Sequence, residues 1–229
     1  LKSVSVIIPA YNEAPHIAAT LRAVRSHVPC DELIVVDDGS RDGTAEHAAV
    51  WADRLIRLDA NRGKGFALQT GWRQANGAII LLLDGDLRES AAHAARLLAP
   101  VAADECDMAI AILPGPARRA GFGLAKGLAR RGIQWMTGFM PSAPLSGQRA
   151  VKREVLAAAG QLDHGFGIEV GLTIDALRAG FRVMEVAVPF SHRETGNDWY
   201  GCLHRGREFF AIGRALGQKW KERETSRWG

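Results

Sequence analysis

The 229-residue sequence is poor in cysteine: Cys30, Cys106 and Cys202 are far apart and none stands in a CxxC spacing. That excludes a disulfide framework and a cysteine-rich zinc site, and it fits a reducing, cytosolic compartment. Long apolar runs are also missing. The longest are strand-sized, well short of the roughly 20 residues a membrane-spanning helix needs. The N-terminus lacks the basic, apolar and cleavage regions of a signal peptide, so neither a span nor export is expected. Familiar nucleotide motifs fail too. No GxGxxG follows a strand, and Gly63-Lys64 has neither the Ser/Thr after it nor the glycine five positions earlier that a P-loop requires. Dehydrogenase and P-loop ATPase chemistry drop away. The last absence is of one sign of charge. Between Asp107 and Glu154 there is no acidic residue, while Arg118, Arg119, Lys126, Arg130, Arg131, Arg149, Lys152 and Arg153 all fall there. The net charge of +4 therefore hides a one-signed patch that would attract an anionic partner.

What is present is a regular alternation. Val4–Ile8 is an apolar strand ended by Pro9, and Asn12 stands where an N-cap is expected for a helix with Ile17, Leu21 and Val24 on one face. Leu33–Val36 is a second buried strand, followed by a helix with Ala48 and Trp51 and a short strand around Leu55–Leu58. A helix over Phe66–Gln74 leads into the strand Ile79–Leu83. Strands and helices alternating at this pace predict an α/β fold with a mainly parallel central sheet and helices on both faces. With 47% hydrophobic residues, the chain can bury one large core, expected as a single domain over residues 1–229. Within it, 1–112 forms a first half, 113–197 a second, and 198–229 a basic helical segment with Phe209, Phe210, Ile212 and Trp220 among many Arg and Lys. In the second half, 118–137 reads as a basic amphipathic segment, Ser146–Ala150 as a compact loop, Glu169–Arg178 as a helix and Phe181–Val188 as a strand.

Polar clusters follow three of the predicted strands: Ala10–Glu13, Asp37–Ser40 and Asp84-Gly85-Asp86. In an open α/β sheet the C-terminal strand ends line the ligand crevice. Asp84 and Asp86, one residue apart there, suit a hard divalent cation that would grip a diphosphate. Each cluster alone also reads as an ordinary turn, because Asp, Asn, Ser and Gly favour turns for backbone reasons.

Together, in order, they resemble a known family. Val6-Ile7-Ile8-Pro9-Ala10-Tyr11-Asn12-Glu13, Ile34-Val35-Val36-Asp37-Asp38-Gly39-Ser40, Asn61-Arg62-Gly63-Lys64-Gly65 and Leu83-Asp84-Gly85-Asp86 are similar to the motifs of family 2 glycosyltransferases of GT-A (Rossmann-like) fold. The resemblance covers roughly residues 4–195. It implies a nucleotide-sugar site built from Pro9, Tyr11, Asn12, Glu13, Asp38, Gly39, Ser40, Lys64, Gly65, Asp84 and Gly85. Lys64 would approach the donor, and Asp84 with Asp86 would form a DxD metal site for Mg²⁺ or Mn²⁺. Chemistry agrees, since carboxylates accept from base N–H groups, a lysine offsets phosphate charge and a divalent ion stabilises a departing diphosphate.

The second half resembles two subgroups. Pro144-Leu145-Ser146-Gly147-Gln148-Arg149, Gly165–Leu172 and Ser191-His192-Arg193 look like the glucosyl-3-phosphoglycerate synthases, while Ser146-Gly147-Gln148-Arg149-Ala150 also fits the Ser-Gly-x-Arg-Ala loop of dolichol-phosphate mannose synthases. The resemblance makes His192 a third metal ligand beside Asp84 and Asp86. It places Glu169 near the sugar as a catalytic carboxylate with Asp86. Deprotonation of the acceptor would be its task in an inverting enzyme, orientation of the sugar in a retaining one. Arg118, Arg119, Gly121, Gly147 and Arg149 become the acceptor site, with bidentate arginines on a phosphate or carboxylate.

The expected function is metal-dependent transfer from a nucleoside-diphosphate sugar, UDP-glucose first, to an anionic phosphate-bearing acceptor such as 3-phosphoglycerate. The alternative acceptor is a polyprenyl phosphate, reached by laying Leu124, Leu128, Trp135, Met136 and Phe139 on an anionic bilayer as a peripheral contact. A sugar-1-phosphate nucleotidyltransferase is disfavoured by the lack of a Gly-rich N-terminal loop. A nucleic-acid-binding module is disfavoured by the acidic crevice, so nucleic acid is not an expected partner. A homodimer stays open.

Overall fold

The computed structural model describes residues 2–112, 123–159, 167–191 and 211–220. Seven strands form one sheet: β1 (Val4–Ala10), β2 (Glu32–Asp37), β3 (Arg54–Arg57), β4 (Ile79–Leu82), β5 (Met108–Ile112), β6 (Arg149–Lys152) and β7 (Val183–Ala187). Their order across the sheet is β3-β2-β1-β4-β6-β5-β7. Every neighbouring pair is parallel except the two made by β6, which runs antiparallel between β4 and β5.

The apolar runs become strands because both faces of the sheet are covered, which demands near-continuous hydrophobicity rather than alternation. Residue parity then decides the layer. Val6, Ile8, Leu33, Val35 and Leu81 pack on one face against Leu21 and Val24 of α1 (Ile17–His27) and Leu97 and Val101 of α4 (Ala94–Ala102). Ile7, Ile34, Val36, Ile80 and Leu82 pack on the other against α3 (Lys64–Gln74), α6 (Arg153–Ala159) and α7 (Ile168–Arg178). Fully burying each such side chain contributes roughly 1.5–3 kcal/mol. The remaining helices are α2 (Thr44–Ala49), outside β2 and β3, and α5 (Gly123–Thr137). A smaller core joins Ala129, Ile133 and Met136 of α5 to Val170 and Ile174 of α7 and to Ile212 in the helical stretch 211–220.

Several expectations shift on contact with the structure. The first strand runs on through Pro9, which lies beyond the last β1–β4 pair, Ile7 with Leu82, where that ladder has ended. Asn12 is not a helix cap: α1 starts at Ile17, and Asn12 sits in the left-handed region at φ 54° inside the loop. The expected loop Ser146–Ala150 yields its last two residues to β6. This strand matters most for the site, because an antiparallel strand starts at the edge where its parallel neighbours end.

Candidate active site

Three loops meet at the C-terminal ends of β1, β2 and β4, and each is built by specific bonds. Ser40 Oγ accepts from the Asn12 amide at 2.9 Å, while Asn12 Oδ1 accepts from the Arg41 amide at 3.0 Å, so the loops after β1 and β2 are laced together. Glu13 joins the same seam through its amide, which donates to Thr44 Oγ1 at 2.8 Å. Tyr11 is left 46% exposed at the mouth of the crevice. Asp38 is buried, and its two oxygens accept from the amides of Arg62 and Gly63 at 2.7 and 2.8 Å, so this carboxylate holds the 61–65 loop in place. Gly39 is obligatory there, since it has φ +75° and a Cβ on it would lie 2.6 Å from the Ala60 carbonyl carbon. Gly63, at φ +92°, then starts α3 with Lys64 in its first turn and Gly65 buried behind it.

The loop after β4 is pinned from α1. Buried Thr20 donates through Oγ1 to the Gly85 carbonyl at 2.8 Å and accepts from the Arg88 amide at 2.8 Å. That clip spans Gly85 to Arg88, with Asp86 inside it and Asp84 just before it, and fixes the path of the loop across the sheet edge.

Lys64 is the centre of the arrangement. Its Nζ lies 2.7 Å from Asp84 Oδ1 and 3.3 Å from Glu169 Oε1. Burial lowers its proton affinity, yet the Asp84 and Glu169 carboxylates overcome this and hold the ammonium well above the ordinary lysine range. Glu169 stands in the first turn of α7 with its side chain 12% exposed. Gly147 closes the third side, where a Cβ would come within 2.3 Å of Lys64 Nζ. One cation thus bridges carboxylates carried by the loop after β4 and by α7, far apart in sequence.

Arg149 is 1% exposed, the largest fully buried side chain among the described residues. Its Nε donates to the Ser146 carbonyl and its Nη1 to Thr173 Oγ1, both at 2.9 Å, while Nη2 is buried with no hydrogen-bond partner. Burial pulls its pKa down to about 10, with the charges of Glu169 and Glu185 acting against that fall. Thr173 in turn donates to the Glu169 carbonyl at 2.7 Å. Sequence reasoning missed Thr20 and Thr173 and gave Gln148 no role beyond its place in a motif; the contributions of all three lie in contacts across 24 to 68 residues that no local pattern announces. Of the expected acceptor residues, Arg118, Arg119 and Gly121 lie outside the described residues, as does His192.

Among the described residues no three His, Cys, Asp or Glu side chains gather as a metal-binding group. Asp84 and Asp86 do offer hard oxygen donors from one short loop. That donor set fits Mg²⁺ or Mn²⁺, which take part of their shell from substrate phosphates.

Residues 5–127 match the family described as glycosyl transferase family 2. The chain belongs to that family. It is a nucleotide-sugar-dependent glycosyltransferase. Polyprenol monophosphomannose synthase of Mycolicibacterium smegmatis is 31% identical over 215 residues, 83% of this chain and 78% of that one. Undecaprenyl-phosphate mannosyltransferase of Micrococcus luteus is 29% identical over 217 residues, 84% of this chain and 85% of its own. Among solved structures, glucosyl-3-phosphoglycerate synthase of Mycobacterium tuberculosis, crystallised with Mn²⁺, UDP and phosphoglyceric acid, superposes with a TM-score of 0.76 at 26% identity. That match covers 94% of this chain and 79% of the other. The GT-A fold read from the motifs is the fold observed.

Proposed function

We propose that this glycosyltransferase moves a hexose from a nucleoside-diphosphate sugar, UDP-glucose first, to a phosphate-bearing acceptor such as 3-phosphoglycerate. The observation that carries this reading is the Lys64 bridge between Asp84 and Glu169 at the crevice edge. The nucleoside would lie along Pro9–Glu13 and Asp38–Ser40, with exposed Tyr11 against the base. Its diphosphate would reach Lys64, whose ammonium exchanges a carboxylate for phosphate oxygens. A divalent cation held by Asp84 and Asp86, with His192, would offset the negative charge that builds on the departing diphosphate. In the transfer, the bond from the anomeric carbon to the diphosphate oxygen breaks and a bond from that carbon to the acceptor oxygen forms. With a hydroxyl acceptor, Glu169 would receive the proton in an inverting transfer, whereas in a retaining one the departing diphosphate oxygen would take it and Glu169 would orient the sugar; a phosphate acceptor is already anionic and gives up no proton. Basic residues of the acid-free stretch, Arg118 and Arg119 among them, would supply the countercharge, while buried Arg149 is committed to Ser146 and Thr173 rather than to an acceptor.

A second reading, a polyprenyl-phosphate acceptor, is favoured by the outer face of α5. Leu124 and Trp135 are 81% and 61% exposed beside Lys126, Arg130 and Arg131, and Trp135 stacks on Trp220 at 4.3 Å between ring centroids. An apolar face with only basic companions suits an anionic bilayer. No helix among the described residues is long and apolar enough to cross a membrane. The names of the two sequence relatives support this reading and those of the structural relative support the first. Product mass spectrometry separates them: the protein, Mn²⁺ and UDP-glucose or GDP-mannose are offered 3-phosphoglycerate in one arm and a short polyprenyl phosphate in the other. A glycosylated phosphoglycerate supports the first reading, a glycosylated lipid phosphate the second, and no sugar transfer in either arm contradicts both.

A further inference from the structure

The tetrapeptide Ser146-Gly147-Gln148-Arg149 leads into β6 at the crevice edge, and Gln148 within it is only 2% exposed. Its Nε2 donates to Asp84 Oδ2 at 2.5 Å, and its Oε1 accepts from Ser146 Oγ at 3.3 Å. The two contacts agree on one amide orientation, because the carboxylate requires a donor and the serine hydroxyl supplies one to the carbonyl end. The Gln148 backbone is itself anchored, its carbonyl accepting from the Ala111 amide of β5 at 3.0 Å. Asp84 is therefore held at both oxygens, by a rigid neutral amide at Oδ2 and by the Lys64 ammonium at Oδ1. Of these two partners only Lys64 is on a long flexible stem that can swing toward a phosphate.

We propose that Gln148 is a positioning residue that fixes the plane of the Asp84 carboxylate, so that with one oxygen committed to the amide the other stays turned toward Lys64 and the incoming donor. The last torsion of an aspartate is broad, and without a fixed partner the carboxylate plane would turn and the oxygen facing Lys64 would hold no single position. The neighbouring residues complete the device. Gly147 has no side chain where one would strike Lys64, and Arg149 reaches through Thr173 to the turn that carries Glu169. Four consecutive residues thus address both carboxylates that Lys64 joins. The inference rests on the reading of Asp84 as part of the donor site.

The test compares wild type with Gln148→Leu, which removes the amide, and Gln148→Asn, which keeps it but withdraws it by one methylene. UDP binding in the presence of Mn²⁺ is followed by calorimetry, steady-state constants are measured for donor and acceptor separately, and Tm is recorded. The expected result is a roughly tenfold weaker UDP affinity and a raised donor KM in both variants, with acceptor KM and Tm near wild type. A misplaced binding group commonly costs that much or more. Unchanged donor binding in a folded Gln148→Leu protein overturns the proposal. So does a loss spread equally over donor, acceptor and Tm, which marks a merely structural role. Wild-type protein that binds neither UDP nor GDP with Mn²⁺ overturns the donor-site reading itself, and the proposal with it.

Discussion

β6 carries an ion cluster at each end, and the two are built on opposite principles. At its start, one lysine from α3 bridges Asp84 and Glu169, so two negative charges share one cation. At its end, Lys152 meets Asp107 at 2.6 Å and also pairs with Asp104, while Arg182 closes on Asp107 from the lead-in to β7. Asp107 Oδ2 accepts from the Arg182 amide at 2.8 Å and from its Nε at 3.1 Å; Oδ1 accepts from Lys152 and from Arg182 Nη2. The second cluster is saturated with short-range donors and locks β5, β6 and β7 together at the edge far from the crevice. The first is short of positive charge and closed by a single flexible side chain. A saturated cluster staples a fold, whereas an unbalanced one at a crevice accepts a ligand.

If this contrast is right, mutations at the two ends separate activity from stability. Glu169→Gln and Lys64→Met are expected to lower kcat/KM by roughly 10²–10⁴ fold, the range seen when a catalytic acid–base or charge-stabilising group is removed. Their Tm should stay close to wild type, and steady-state kinetics beside thermal melts read both. Gly147→Ala comes next, at roughly 10²-fold, because its methyl would push the Lys64 ammonium out of place while the lysine stem yields without disturbing the fold. A Gly147→Ala enzyme with wild-type turnover would show that the position of Lys64 is unimportant.

Asp107→Asn should invert that pattern. Its cost is about 1–3 kcal/mol of stability, the usual range for stripping a partner from a buried hydrogen-bonded charge, with donor affinity unaffected. Hydrogen bonding to Arg182, acting against burial and joined by Lys152, holds the Asp107 carboxyl far below the usual carboxylate range. A depressed pKa gives stability that is fully present above the unfolded-state value of about 4 and is lost as pH falls below it. The Tm gap between wild type and Asp107→Asn is therefore expected to be widest near neutrality and to shrink below about pH 4, which a pH series of melts would check. The smallest effect belongs to the outermost member. Lys2 lies 3.1 Å from Asp104 with both side chains well exposed, and Lys2→Ala should change stability by no more than about 0.5 kcal/mol in chemical denaturation.

The contrast also explains what could be read before the fold was known. β1, β2 and β4 were legible because parallel strands buried on both faces must be continuously apolar, and the polar clusters after them fall at one edge by topology alone. β6 was not, since Arg149-Ala150-Val151-Lys152 has two apolar residues between two charges and follows a turn-like Ser-Gly. Its burial comes from β4 and β5 on either side. The resemblance makes Arg149 an acceptor clamp, but its near-complete burial, which follows from that same flanking, turns it inward to Ser146 and Thr173. Asn12 was read as a cap from its place before an apolar helix, yet its side chain is spent on the Arg41 amide. Lys64, Asp84 and Glu169 were each picked out from motifs, but no spacing in sequence announces that they touch.

The most direct measurement is calorimetric titration of UDP, with Mn²⁺ present, into wild type, Asp84→Asn and Asp107→Asn. Wild type and Asp107→Asn should bind alike, while Asp84→Asn loses the greater part of its affinity. Equal binding by Asp84→Asn, or an equal loss in Asp107→Asn, would contradict the division of β6 into a ligand-accepting end and a stapled one.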